Sequence, residues 1–277
     1  MLAAVWALAG TAAWAGPDVA RMKALEAAFD VRVARHPEVA AEWLHRARVR
    51  IALGEYDGAV ADCHQALHLS PRSADEWSCL ADAHGRGGHR QAALADCNHA
   101  LSLAPARPDL WNQRAQIYMS LGQWREVLKD EDRALRLQPS MNEGWRTRAE
   151  AAHRMGQVGR ALSDFGEALR IDPHDVDARV GRGQVYQDLG QANQAIDDYS
   201  RAIEVRPNAV AYDDRANVYV SLRQNEKAMK DYQAAMQLAP QDARPWYNRG
   251  NLYLSMEDYD RAIADYSHAL DLDPHDA

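Results

Sequence analysis

Histidine side chains that could bind a metal are concentrated between residues 45 and 99. His64 and His68 are four residues apart, a spacing that places two imidazoles on one face of a helix. Zinc sites use this spacing, but they also need further ligands that converge in space. A solvated helix face is therefore the favoured interpretation over a zinc site, and we expect neither a metal nor a cofactor.

The motifs of common enzyme classes are missing from the sequence. It contains no G-x-S-x-G elbow, no phosphate-binding P-loop, no H-E-x-x-H zinc motif and no G-x-G-x-x-G turn. The net charge of −8 and a pI near 5.8 argue against a nucleic-acid binder, which needs a basic surface. We expect a protein that is not an enzyme and that binds neither nucleic acid nor a small-molecule cofactor.

Seven prolines recur at a nearly constant interval along the chain. Successive prolines are 34 residues apart, except for one interval of 33. They are Pro71, Pro105, Pro139, Pro173, Pro207, Pro240 and Pro274. Because the residue before a proline avoids the α-helical conformation, each proline is expected to end a helix. We number every repeat from 1 to 34, with the proline at position 32.

Other positions recur with the prolines. Position 4 is aromatic in six of the seven repeats, and positions 8, 20 and 27 carry alanine or glycine, with valine once. Small residues let two helices approach closely, and we expect the ring at position 4 to be buried beside them. Position 15 is glycine in the first five repeats, which suits the left-handed conformation that ends a helix. Arg223 and Glu257 occupy this position in the last two repeats, where we expect costlier turns.

The recurring residues closely resemble those of the tetratricopeptide repeat (TPR) family, in its bacterial form. The resemblance implies an all-α fold, a right-handed α-solenoid of antiparallel helix pairs called a TPR superhelix. It predicts a capping helix or degenerate half-repeat at residues 17–39 and seven TPR units over 40–277. The predicted units are 40–73, 74–107, 108–141, 142–175, 176–208, 209–242 and 243–277.

The N-terminal segment differs in kind from the repeats. Residues 2–15 carry no charge and end in Ala13-Trp14-Ala15, the A-x-A pattern of a signal-peptide cleavage site. No basic residue precedes the apolar run, since Arg21 is the first. We expect residues 1–15 to be a signal peptide and the protein to be exported, to the periplasm or outside the cell. A hydrophobic helix that packs on the repeats, an uncleaved anchor and a cytoplasmic location are the alternatives.

The three cysteines are interpreted as small core residues. Cys63 and Cys97 both occupy position 24, where four other repeats carry Phe or Tyr. Equivalent positions of neighbouring repeats are expected to lie beyond the ~7 Å Cα limit of a disulfide. A bridge between Cys63 and Cys79, across adjacent helices, is the alternative in an oxidising compartment.

Opposite charges recur at two further positions. Position 7 is arginine in six repeats, and position 23 is aspartate in all seven. Since the two positions lie on the two helices of a pair, we predict bidentate ion pairs that fix the helix register. A role in ligand binding is the alternative.

The TPR resemblance implies that the first helices line a concave groove, with positions 5 and 9 turned inward. We predict that this groove binds a partner through Asn112, Gln116, Arg146, Glu150, Gln184, Asp213, Asn217, Tyr247 and Asn251. The amides at position 9 are similar to the asparagine-lined superhelix of O-linked N-acetylglucosamine transferase, and amides suit contact with a peptide backbone. The pattern of family members that bind acidic chaperone tails is incomplete here, because Glu150 stands where an asparagine should follow Arg146. A merely solvated surface is the alternative.

These observations predict a non-catalytic scaffold or adaptor that binds a peptide or helix of a partner protein in its groove. One alternative is the substrate-recruiting TPR arm of a larger enzyme, such as a glycosyltransferase or kinase. Another is a self-assembling structural module. The seventh repeat has no further helix after it in this sequence, so self-association through an uncapped C-terminal repeat is a further expectation.

Overall fold

The computed structural model describes residues 16–274, and this part of the chain forms fifteen α-helices and no strand. Residues 1–15, where the signal peptide is predicted, lie outside the described residues. The helices are α1 (Gly16–Arg35), α2 (Ala40–Leu53), α3 (Tyr56–Leu69), α4 (Ala74–Arg86), α5 (Arg90–Leu103), α6 (Pro108–Ser120), α7 (Trp124–Leu137), α8 (Asn142–Arg154), α9 (Val158–Ile171), α10 (Val176–Asp188), α11 (Ala192–Val205), α12 (Ala209–Ser221), α13 (Asn225–Leu238), α14 (Ala243–Ser255) and α15 (Tyr259–Leu272). None of these helices is both long and apolar enough to cross a bilayer.

The described residues divide into two compact units, residues 16–139 and 140–274. The first contains α1 and three helix pairs, α2–α3, α4–α5 and α6–α7, and the second contains four pairs, from α8–α9 to α14–α15. Within each unit, the helices of a pair pack together, and the second helix of one pair packs on the first helix of the next. The first helices of successive pairs also contact each other. The predicted all-α solenoid class, built from stacked helix pairs, is confirmed.

Small residues form the contact between the helices of each pair, as predicted. The alanines at positions 8, 20 and 27 are buried in every repeat that carries them. Two repeats need glycine at position 8, because an added Cβ at Gly183 would lie 2.6 Å from the Tyr199 ring, and one at Gly250 would lie 2.7 Å from the Tyr266 ring. The core clusters extend across neighbouring repeats, so each repeat depends on the next for burial.

The ring at position 4 is not buried as expected, because it is only half-buried in every repeat that carries one. In repeats 1 to 3 the indole nitrogen also donates to the carbonyl oxygen of the proline six residues earlier. This bond measures 2.9 Å from Trp43 to Pro37 and 2.9 Å from Trp111 to Pro105. Arg179 replaces the aromatic residue and retains the bond, with Nη2 2.6 Å from the carbonyl oxygen of Pro173. Position 4 therefore contacts the preceding proline in these four repeats, whereas the buried Nε1 of Trp246 has no hydrogen-bond partner among the described residues.

The predicted arginine–aspartate pairs are present in all six repeats that have the arginine. Each guanidinium donates from Nε to one carboxylate oxygen and from Nη2 to the other, over 2.6–2.9 Å. We call this pair the Arg–Asp clamp; its members are Arg46–Asp62, Arg114–Asp130, Arg148–Asp164, Arg182–Asp198, Arg215–Asp231 and Arg249–Asp265. Aromatic rings at positions 4 and 11 flank several of the guanidiniums, at 5.0 Å for Trp111 and 5.7 Å for Tyr118 around Arg114.

The second repeat lacks the clamp because Leu80 occupies position 7 and is buried. His84 replaces the arginine one turn later on α4, and its Nδ1 lies 2.7 Å from Asp96 Oδ2. Burial raises the pKa of Asp96, and the His84 contact opposes that rise. Trp77, without a guanidinium beside it, packs on His99 with the ring centroids 4.0 Å apart.

The turn at position 15 adopts the left-handed conformation in every repeat. The five glycines have φ between 68° and 85°, and Arg223 and Glu257 have φ of 57° and 61°. Residues with a Cβ meet a steric penalty of roughly 1–2 kcal/mol in this region. The costlier turns predicted for the last two repeats are confirmed as strained backbone.

Replacing Arg223 with glycine should raise the free energy of unfolding by about 1 kcal/mol, because it removes the left-handed penalty. Gly190→Ala is the matched control at the same position and should lower stability by a similar amount. An added Cβ at Gly190 meets no atom within 4 Å, so its effect comes from the backbone alone. Urea unfolding followed by circular dichroism measures both. A destabilised Arg223→Gly variant would contradict the assignment.

Replacing Asp164 with alanine should leave the Arg148 guanidinium without its bidentate acceptor and cost about 1–3 kcal/mol. The Arg148→Ala, Asp164→Ala double variant should cost less than the sum of the two single changes, because neither partner is then left behind. Denaturant unfolding of the four proteins gives the coupling energy. Strict additivity would mean that the pair contributes no coupling.

Candidate functional site

The predicted groove residues lie on the first helices, at positions 5 and 9. We call the surface formed by these positions within each unit the A-helix face. Positions four residues apart share one side of a helix, so each first helix presents a pair. In the first unit the predicted pair is on α6, where Asn112 is buried and Gln116 is exposed. The second unit holds the remaining seven predicted residues, on α8, α10, α12 and α14.

Arg146 is engaged by the next repeat rather than open to solvent. Its Nη1 lies 2.9 Å from Asp177 Oδ2 and 3.6 Å from Asp175 Oδ1, at the start of α10. Asn142 adds a bond of 2.6 Å to the other oxygen of Asp175. Glu150, one turn later on α8, is exposed. The arginine therefore joins α8 to α10, and its charge is balanced within the protein.

Two more predicted residues also join neighbouring repeats. Gln184 Nε2 donates to Asp214 Oδ2 over 2.8 Å, which links α10 to α12. Asp213 accepts from Asn248 Nδ2 at 3.1 and 3.0 Å, which links α12 to α14. Side chains at positions 2, 5, 6 and 9 of successive first helices thus form a polar seam across the second unit.

Asn217 and Asn251 are arranged differently. The hydroxyl of Tyr232 donates to Asn217 Oδ1 over 2.6 Å, and that of Tyr266 donates to Asn251 Oδ1 over 2.7 Å. Both tyrosines occupy position 24 of the second helix, behind the amide. Each amide oxygen therefore has a partner within the protein, and the Nδ2 group is the donor part of the same side chain. The two amides are presented by the same geometry in successive repeats.

Tyr247 supplies the large apolar surface of this face. Its side chain is 53% exposed, and its ring lies 5.7 Å from the ring of Tyr266, centroid to centroid. Since Tyr266 also orients Asn251, the amide and the exposed ring form one local group on repeat 7. An exposed tyrosine that is supported from behind is well suited to anchor a partner.

Asp213 has an unusual electrostatic setting. Burial raises its pKa to about 6, and the hydrogen bond from Asn248 opposes that rise. The neighbouring Asp214 raises the pKa further, Arg244 lowers it and Asp242 raises it. Burial also raises the pKa of Asp214, whose bond from Gln184 works in the opposite direction. The seam therefore contains carboxyl groups whose charge is costly to maintain.

Sequence reasoning did not find the residues that orient the amides. Tyr232, Tyr266 and Asn248 were not among the predicted groove residues, because two of them lie on second helices and the third points toward the preceding repeat. A signal was available in the sequence, since tyrosine at position 24 coincides with asparagine at position 9 in repeats 6 and 7. Tyr199 follows a related arrangement and donates to Gln187 Oε1 over 2.9 Å, at position 12.

Two further predictions concern the histidines of repeat 1 and the exposed surface of repeat 7. His64 and His68 are exposed, and among residues 16–274 no group of three potential ligands is placed to hold a metal ion. On α15, Tyr259, Ile263 and Leu270 are exposed large side chains of the seventh repeat. Self-association through this repeat stays a prediction.

Comparison with known proteins points to a single family. Three tetratricopeptide repeat models match the chain, one at residues 176–209 and 243–276, another at 216–257 and a third at 113–176. Together they cover more than half of the 277 residues. No curated protein sequence matched the chain.

Solved structures share the fold at low sequence identity. A tetratricopeptide repeat protein from Parabacteroides merdae is 22% identical, with a TM-score of 0.70 over 86% of this chain and 94% of that protein. The Cut9–Hcn1 hetero-tetramer of APC/C gives a TM-score of 0.74 at 14% identity, over 93% of this chain and 51% of the matched one. YrrB, described as a TPR protein with an unusual peptide-binding site, is 22% identical with a TM-score of 0.52, over 66% of this chain and 95% of its own.

The raised pKa of Asp213 predicts a pH-dependent stability. Because the folded pKa of about 6 exceeds the unfolded value, the folded state holds the proton more tightly. The associated stability is present below about pH 4 and is lost as the pH rises through about 6. Between pH 4 and 7 the wild type should lose roughly 2 kcal/mol relative to Asp213→Asn.

Urea unfolding at the two pH values measures this difference, and carboxyl ¹³C chemical shifts locate the titration directly. Asn248→Ala serves as a second test, because removing the donor should raise the pKa of Asp213 further. A titration of Asp213 near pH 4 would contradict the assigned burial effect.

Proposed function

Because the chain belongs to the tetratricopeptide repeat family, we propose that it is a non-catalytic adaptor that binds an extended segment of a partner protein. The A-helix face of the second unit is the proposed binding surface. The family's fold supports a scaffold for protein–protein contacts. The side chains of repeats 6 and 7 support the choice of this surface and of an extended segment as the ligand.

The observation that carries the proposal is the orientation of Asn217 and Asn251. Since each Oδ1 accepts from a tyrosine hydroxyl, each Nδ2 is left to donate outward. Two such donors in successive repeats suit the carbonyl oxygens of an extended backbone. Contact of this type binds a main chain without reading its side chains.

The neighbouring side chains favour one chemical class of partner. Tyr247 offers an exposed ring that an apolar or cationic side chain can cover. Glu150 is an exposed acid, and the charge of Arg146 is already balanced by Asp177 and Asp175. An acidic segment would meet repulsion here, so a neutral or basic segment fits better. The peptide-binding site named for YrrB supports a peptide as the ligand class.

Peptides selected from a random display library on the full chain provide the probe. Replacing Asn217 and Asn251 together with alanine should weaken the selected peptides at least tenfold by calorimetry, a loss of about 1.4 kcal/mol. Asn193→Ala with Gln237→Ala is the matched control, because these exposed residues lie on the second helices α11 and α13. The control should bind as the wild type does, and both variants should keep the helical circular-dichroism spectrum.

A more specific test changes residues behind the face. Tyr232→Phe with Tyr266→Phe removes only two hydroxyls, which should let the amides rotate and weaken binding. Binding that survives both this double variant and the double asparagine variant would show that the A-helix face of the second unit is the wrong surface.

A further inference from the structure

Two cysteine thiols of the first unit lie in contact across a repeat boundary. Cys63 is on α3 and Cys79 is on α4, and their sulfur atoms are 3.2 Å apart. Cys63 is fully buried and Cys79 is 5% exposed, and both belong to the core cluster shared by repeats 1 and 2. A disulfide bond measures about 2.05 Å, so the sulfurs need to approach by only about 1.2 Å.

The same two positions face each other elsewhere in the protein with different residues. Between repeats 4 and 5, the ring of Phe165 at position 24 covers Gly181 at position 6, where an added Cβ would lie 2.4 Å from the ring. The boundary between repeats 4 and 5 is therefore filled by the large Phe165 side chain, which packs against a glycine that has no side chain. Repeats 1 and 2 fill the corresponding boundary with two short side chains that meet at their sulfur atoms.

We propose that Cys63 and Cys79 are a disulfide-forming pair that covalently joins the second helix of repeat 1 to the first helix of repeat 2. Cys97 remains a free thiol. It lies in a different core cluster, and position 6 of the following repeat is Gln113. The pairing is therefore specific to one of the repeat boundaries in the first unit.

The bond forms by thiol–disulfide exchange with a small-molecule disulfide such as oxidised glutathione. One cysteine, as thiolate, attacks the oxidant to give a mixed disulfide and releases one glutathione thiolate. The second cysteine then attacks the protein-bound sulfur and releases the other. The protein loses two protons and two electrons, and the oxidant's sulfur–sulfur bond accepts both electrons to give two glutathione thiols.

Burial makes this exchange slow in the folded state. The neighbouring thiol and burial raise the pKa of Cys63, and burial raises the pKa of Cys97 to about 12. Since the thiolate is the reacting form, exchange requires the boundary between α3 and α4 to open or the chain to be folding. Once formed, the bond closes a short loop and restricts the unfolded chain, which stabilises the first unit.

Refolding the full chain in a mixture of reduced and oxidised glutathione tests the pairing. Thiols titrated in denaturant should fall from three to one, with a mass loss of two hydrogens and a peptide linking Cys63 to Cys79. Cys97→Ser should still form the bond, whereas Cys63→Ser and Cys79→Ser should not. The melting temperature should be higher after oxidation for the wild type and Cys97→Ser only.

Oxidation of the unfolded chain in denaturant is the matched control. Cys63 and Cys79 are 16 residues apart, and Cys79 and Cys97 are 18 apart, so an unfolded chain should form both bridges in similar amounts. Strong enrichment of the Cys63–Cys79 bridge after refolding would therefore come from the fold. The proposal would be overturned by three free thiols after equilibration, by a stable glutathione adduct or by a bridge to Cys97. All three outcomes are measured on the wild-type protein, so none of them depends on a variant that folds.

Discussion

The Arg–Asp clamp fixes the rotation of the first helix in six of the seven repeats. A bidentate pair restrains both distance and orientation, and its nearly buried aspartate makes the loss of one partner costly. Positions 5 and 9 lie two residues on either side of the arginine, about 200° around the helix from it. When the arginine points at the second helix, these positions lie on the other side of the first helix, although the amides of Asn217 and Asn251 reach back to tyrosines of their second helices. The clamp thereby determines which side chains form the A-helix face.

The second repeat shows what replaces the clamp when the arginine is missing. Leu80 fills position 7 as a buried apolar residue, and His84 takes over contact with the aspartate. A single imidazole contact restrains orientation less than a guanidinium fork. The helix concerned, α4, is also the one that carries Cys79. A covalent link to α3 would restrain α4 from the opposite side, where the repeat boundary holds the thiol pair.

Features that recur in every repeat could be predicted from the sequence, and features that depend on one neighbour could not. The clamp, the buried alanines and the left-handed turns follow from period and residue type alone. The half-buried rings at position 4 were mispredicted, and hydrophobicity gives no sign of the bond that three of the indoles make to a proline carbonyl six residues earlier. The hydrogen bond that Asp213 accepts comes from Asn248 in the next repeat, and Asn217 accepts one from a tyrosine hydroxyl of the second helix. Such pairings become visible only when the helices are placed together.

The contacts between repeats and the proposed binding surface use neighbouring positions on the same helices. Arg146, Gln184 and Asp213 are occupied in the polar seam of the second unit, which holds successive first helices together. The amides at position 9 of repeats 6 and 7 are supported from the second helix instead, so their outward donors stay available. The seam sets the separation of these donors, and in the proposed complex that separation would have to match the carbonyl spacing of the bound segment. In a solenoid each repeat contacts only its neighbours, so a change at Asn248 would alter this spacing locally without disturbing the more distant repeats.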